Sequence, residues 1–338
     1  MKKHKISLVA LVFVAAAAFA LVTFSVRAGR FDVQSPGAHA GSGDARAARG
    51  EGASEKGAQP AAIVVGHSRV AEVAREAAGE AAAIFREAAS RNSALSRSLA
   101  WTFGGKQQRG WSLYAPLISE TIGHEHGHEG EGAPEFASSL AVWQKTAGLP
   151  ASGVLDGDTL SRMVSTWQGS RLKLRGYPTP DQLVTAPPSE FYDPSRPAEL
   201  RQVEREAYAA YKRMLAAAAA DKSLGLKLTP SGELAPEEKF LKIVSSFRSR
   251  EYQARLRQQS PHSGRAGLAV NSPHFTGRAL DIYVGGEPVE TRDDNRALQV
   301  QTPAYRWLVK NAGRFGFRPY YYEPWHWEYV GETTAANN

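Results

Sequence analysis

The sequence contains no cysteine in 338 residues. Disulfides, thiolate metal sites and cysteine nucleophiles are excluded together, and any metal must rest on His, Asp or Glu. A nucleic-acid motif is also lacking. The formal net charge is +7, but the Lys and Arg residues are scattered along the chain, so no nucleic-acid partner is expected. Strands and helices do not alternate in a regular βαβ repeat, so the class is expected to be α+β. What is present, 42% apolar and 22% charged residues, is an ordinary globular balance in a chain long enough for two domains.

One long apolar run stands out. After the basic start "MKKHK", Ile6 to Val26 passes without a charge, enough at about 1.5 Å per residue to cross a hydrocarbon core of roughly 30 Å. Residues 1–27 read as a signal or membrane anchor. Lysines ahead of the run keep the N-terminus in the cytoplasm and send the rest outward. The expectation is an exported protein, anchored in the inner membrane and facing the periplasm and cell wall. Ala18-Phe19-Ala20 offers a small-residue cleavage site, and with cleavage the protein is secreted. Residues 28–62 are rich in Gly, Ala, Ser and charge, with little apolar surface to bury, and read as a disordered tether.

Residues 63–170 read as a helical region. From Val64 to Ala100 small apolar residues recur at three to four residue intervals, the signature of a helix or a broken pair. "HEHGHEG", His124 to Gly130, sets imidazoles at alternate positions. Its glycines and its lack of an apolar shell make it a solvated linker rather than a metal site. Phe136, Leu140 and Trp143 share one helical face, a turn follows at Gly148 to Gly153, and Asp156 caps a second helix carrying Leu160 and Met163. This order resembles the small helical peptidoglycan-binding module of cell-wall hydrolases, over about residues 110–168. Prolines crowd residues 171–192, which read as a linker.

A further domain is expected over residues 193–332. Ala198 to Ala220 carries Leu200, Val203, Ala207, Tyr211 and Leu215 on one helical face. "KFLKIVSSFRSREYQARLRQ" reads as a strand running into a helix at Ser249, Thr302 to Gly313 as a further helix, and "HWEYV" as the last strand. In "GRALDIYV", Leu280, Ile282 and Val284 alternate with Ala279, Asp281 and Tyr283, which sets Asp281 opposite the aliphatic face. A carboxylate there is costly unless paired or metal-bound. His274 precedes it across Gly277, whose backbone freedom lets the loop fold back over the strand. In "EPWHWEY", His326 and Glu328 share one face of the final strand, opposite Trp325, Trp327 and Tyr329. Pro324 holds Glu323 extended on the approach to His326. Two imidazoles and a carboxylate leave one coordination position for water, as in catalytic zinc sites, with Glu323 available as base.

Ser272-x-His274-x-x-Gly277-x-Ala279-x-Asp281, followed by Glu323-Pro324-Trp325-His326, resembles the signature of VanY-type zinc D-alanyl-D-alanine carboxypeptidases, relatives of VanX dipeptidases and hedgehog-like zinc domains. The resemblance implies a small zinc-peptidase domain, an antiparallel sheet flanked by helices, acting on peptidoglycan stem peptides with one Zn2+. It implies His274, Asp281 and His326 as ligands and Glu323 as catalytic base. "SSFRSREYQ" resembles the family's "YRS" segment, which assigns Arg248 to the scissile carbonyl and Gln253 and Ser272 to holding substrate. One departure is Glu328, where relatives often carry a basic residue. An acid there either repels a terminal carboxylate or pairs with a nearby arginine. The same fold would also serve an L,D-carboxypeptidase, an endopeptidase or a non-catalytic zinc-dependent wall-binding module, and retention of Glu323 argues against the last.

Overall fold

The computed structural model of the chain describes residues 64–124, 130–260 and 268–331. The apolar run Ile6 to Val26, the tether expected over 28–62, and His126 and His128 of the histidine-rich stretch lie outside the described residues. Among the described residues no helix is long and apolar enough to cross a membrane. The chain divides into two units, Met1–Glu87 and Ala88–Asn338. All that is described of the first is part of helix α1 (Val64–Ser98), whose alanine-rich sequence supports one unbroken helix.

The second unit begins with the end of α1 and a tight hairpin, β1 (Ala100–Phe103) and β2 (Lys106–Arg109), turning on Gly104 and Gly105 at positive φ. Three helices follow: α2 (Ala115–Ile122), α3 (Pro134–Thr146) and α4 (Gly157–Gly169). Asp156 caps α4 by accepting from the Thr159 N–H at 2.9 Å. The loop between α3 and α4 is held by buried amides. Gln144 bonds the backbone of Gly153 and Val154, and Asn92 of α1 bonds Gly153 and Leu155. Trp111, Phe136, Leu140, Leu160 and Met163 form a core that continues onto Tyr320, Tyr321 and Tyr322 near the other end of the chain. The upstream helices and the downstream sheet therefore meet in shared apolar packing.

The centre of the downstream half is a four-stranded antiparallel sheet in the order β5 (Ile243–Ser245), β6 (Ala279–Ile282), β8 (His326–Tyr329), β7 (Phe317–Pro319). One face is apolar: Leu280, Ile282, Trp325, Trp327 and Tyr329 join the core. Against it pack α5 (Arg205–Ala220), through Ala207, Tyr211 and Met214, and α8 (Pro303–Asn311), through Tyr305 and Leu308. Helix α6 (Arg250–Gln259) starts at Ser249, whose hydroxyl accepts from the Tyr252 N–H, and α7 (Asp293–Gln301) leads into α8. The class is α+β with small antiparallel sheets, as expected.

Two local expectations are corrected, and one helix is added. The helix expected from Ala198 begins at Arg205, after strand β4 (Gln202–Glu204). Val203 is buried by pairing with Val184 of strand β3 (Leu183–Thr185), and Glu204 caps the helix by accepting from the Ala207 N–H. Residues 171–192, expected as a linker, are built into the fold: they supply β3, and Ala186 and Phe191 lie in the core. Pro180 and Pro188 open short 3-10 turns, so proline shapes this segment rather than freeing it. Helix α7 was not foreseen, because its sequence is polar with only a weak apolar stripe.

Candidate metal centre

The strand register assembles the site. Asp281 on β6 stands directly opposite His326 on β8, both on the face turned away from the aliphatic core. His274 comes from a 3-10 turn, Pro273–Thr276, whose start is capped when Ser272 Oγ accepts from the His274 N–H at 3.3 Å. Gly277 ends that turn at φ 67°, and a Cβ there would lie 3.0 Å from the Glu204 backbone nitrogen. The turn thus closes tightly enough to lay the imidazole over the strand.

His274, Asp281 and His326 are all buried, and their candidate ligand atoms lie within 4.8 Å of one another. Asp281 Oδ1 is 3.2 Å from His274 Nε2 and 2.9 Å from His326 Nδ1. The far nitrogen of each ring is already engaged, His274 Nδ1 with the Ser246 carbonyl at 2.7 Å and His326 Nε2 with Glu328 Oε1 at 3.2 Å. Outer partners of this kind fix which nitrogen faces a metal. Two imidazoles and one carboxylate, each oriented from behind, fit a borderline divalent cation such as zinc.

The two imidazoles are tuned in opposite directions. Burial, helped by the Arg248 charge, lowers the pKa of His274 to about 4. Burial also works against a charge on His326, but hydrogen bonds to Asp281 and Glu328 prevail and raise it to about 9. For Asp281, burial is outweighed by His274 and Arg248, and its carboxyl stays well below the usual range. Glu323 behaves differently: burial, with the Asp281 charge adding to it, pushes its carboxyl up to about 8 against the pull of His326, Arg248 and Arg171. Its Oε2 lies 3.9 Å from His326 Nδ1, beside the ligand group rather than within it.

These groups floor a cleft of about 670 Å³ that is also lined by Arg171, Arg175, Arg196 and Arg248. Arg248 is nearly buried, donating to Asp281 Oδ2 at 2.5 Å and to Ser245 Oγ at 2.9 Å. Ser272 lines the cleft. Gln253 does not: it is buried behind Arg248, accepting from Nη1 at 3.4 Å and donating to the Ala269 carbonyl at 3.0 Å. Its place is support for Arg248 rather than contact with a substrate. Of the two readings for Glu328, the structure shows the paired one, with Arg171 as partner. Arg171, Arg175 and Arg196 carried no motif in the sequence. The only hint was the acid at 328, which needed a partner once buried.

A buried His–Asp–His set at one face of an antiparallel sheet, with a carboxyl and a guanidinium beside it in a cleft, defines a candidate mononuclear metal centre of hydrolytic type. Residues 200–332 match the family model VanY, D-alanyl-D-alanine carboxypeptidase, and the chain carries a domain of that family over this segment. No curated protein matches the chain.

Proposed function

We propose that the protein is a zinc-dependent D-alanyl-D-alanine carboxypeptidase that releases the terminal D-alanine from peptidoglycan stem peptides. The observation that carries this reading is the convergence of His274, Asp281, His326, Glu323 and Arg248 on one cleft floor within the VanY-family segment. His274 Nε2, Asp281 Oδ1 and His326 Nδ1 would hold the metal. When bound, zinc supplies Lewis acidity, lowers the pKa of a bound water toward roughly 7 and, by its charge, favours the ionised form of Glu323. Glu323 then takes the proton of the attacking water and returns it to the leaving amine. Arg248, permanently charged and held by Asp281, Ser245 and Gln253, polarises the scissile carbonyl. The arginines along the cleft favour a peptide ending in a free carboxylate, which supports an exopeptidase over an endopeptidase. Export through the apolar run Ile6 to Val26 would bring this domain to the wall, and the helices upstream would serve as its wall-binding part. Incubating the purified full chain with muropeptides and weighing the products tests the proposal. Loss of a single terminal alanine is expected, whereas a cut within the stem, or no cut at all, overturns it.

Zinc uptake should be coupled to proton release. Without metal, His326 holds its proton at neutral pH, since its pKa is raised to about 9, while His274, lowered to about 4, is already neutral. Binding at Nδ1 displaces the His326 proton, so affinity rises with pH up to about 9 and falls as pH is lowered. The expected slope is at least about tenfold per pH unit between pH 6 and 8. Competition with a chelator at several pH values measures it. A flat profile would mean that no protonated ligand is displaced.

A further inference from the structure

Glu328 is fully buried, yet it carries four polar contacts. Its Oε1 accepts from Arg171 Nε at 3.1 Å and Nη2 at 2.5 Å, and lies 3.2 Å from His326 Nε2. Its Oε2 accepts from the Leu172 backbone N–H at 2.9 Å. Arg171 is itself pinned, its Nη1 donating to Gln168 Oε1 on the last turn of α4 at 2.7 Å. Its guanidinium lies 3.9 Å over the Tyr320 ring, which meets the His326 ring edge-on at 5.9 Å. A buried carboxylate has several ways to rotate, and a two-pronged guanidinium with a backbone donor leaves it only one.

We propose that Arg171, with the Leu172 N–H, is a positioning residue for the metal centre: it fixes Glu328 so that this carboxylate accepts a hydrogen bond from the His326 Nε2–H and turns Nδ1 toward Asp281 and His274. The inference rests on the zinc reading given above. Arg171 and Leu172 lie outside the family-matched segment, 200–332. The stretch leaving α4 therefore completes the outer shell of the site, and through Arg171 the upstream helices are joined to the catalytic unit as well as serving as its wall-binding part. Outer partners of metal-bound histidines typically govern affinity by about 10- to 100-fold.

The test uses the full chain. Arg171→Met is expected to weaken zinc binding by about 10- to 100-fold in chelator competition, and Arg171→Lys, which keeps the charge but loses the fork, to fall between the two. A residue that merely ties the segment to β8 would change unfolding stability and leave zinc affinity unmoved, so an affinity within about twofold of the parent overturns the proposal. A second measurement needs no variant. In long-range 1H–15N spectra of the zinc-loaded parent, His326 should carry its proton on Nε2 with the metal on Nδ1, and the reverse assignment overturns the proposal. If the parent binds no zinc at His274, Asp281 and His326, the functional reading fails and this inference with it. If it binds zinc there but Arg171→Met is unaffected, the inference fails alone.

Discussion

Replacing Glu323 with glutamine is expected to lower kcat by about 10²- to 10⁴-fold while zinc stays bound, because the substitution removes a general base and leaves the ligands intact. Glu323 stands at one side of the ligand group, with Oε2 3.9 Å from His326 Nδ1, and none of the ligand-to-ligand contacts passes through it. Glutamine has nearly the same shape, so KM should change little. Stability should not suffer either. Burial already holds this carboxyl at a pKa of about 8, which means that the fold disfavours its charge, and a neutral isostere removes that penalty. Kinetics on a stem peptide, read beside metal content, separate the contributions. A loss of zinc in proportion to activity would make Glu323 a ligand, and an activity within tenfold of the parent would remove it from the proton-transfer step.

The site was legible in the sequence where chemistry is local. His274, Gly277 and Asp281 lie within one turn and strand, and Glu323 and His326 within another, so alternation and backbone freedom were enough to aim them. What could not be read was whatever depends on distant pairing. Arg171 meets Glu328 from 157 positions away in the chain, and no local spacing announces that contact. Gln253 is a substrate contact only by the resemblance of "SSFRSREYQ" to the family's segment, and in the structure it is buried against the Arg248 guanidinium. The same limit explains the misplaced helix start. Leu200, Val203 and Ala207 fit a helical period, and only the pairing of Val203 with Val184 shows that the first part is a strand. The proline-rich stretch misled for a related reason: proline marks where a helix cannot continue, which is not where packing ends.

Asp281→Ala should remove both metal binding and much of the stability of the metal-free fold, whereas His274→Ala should remove metal binding at a smaller cost in stability. The difference follows from what each side chain leaves behind. Asp281 is the sole carboxylate between the Arg248 guanidinium at 2.5 Å and two imidazoles at 2.9 and 3.2 Å among the contacts seen here. Without it the buried Arg248 guanidinium has lost its carboxylate while His326 keeps only Glu328, a change that typically costs about 3–5 kcal/mol. His274 is neutral at pH 7, with its pKa lowered to about 4, so its loss strands no charge and leaves the Ser246 carbonyl without the Nδ1 partner. That costs about 1–3 kcal/mol. Urea unfolding of the two metal-free variants, read beside their zinc content, checks the contrast. Equal unfolding midpoints would mean that Arg248 finds another partner when Asp281 is gone. In that case Asp281 would matter as a ligand only, and the guanidinium would be free to move toward the cleft without it.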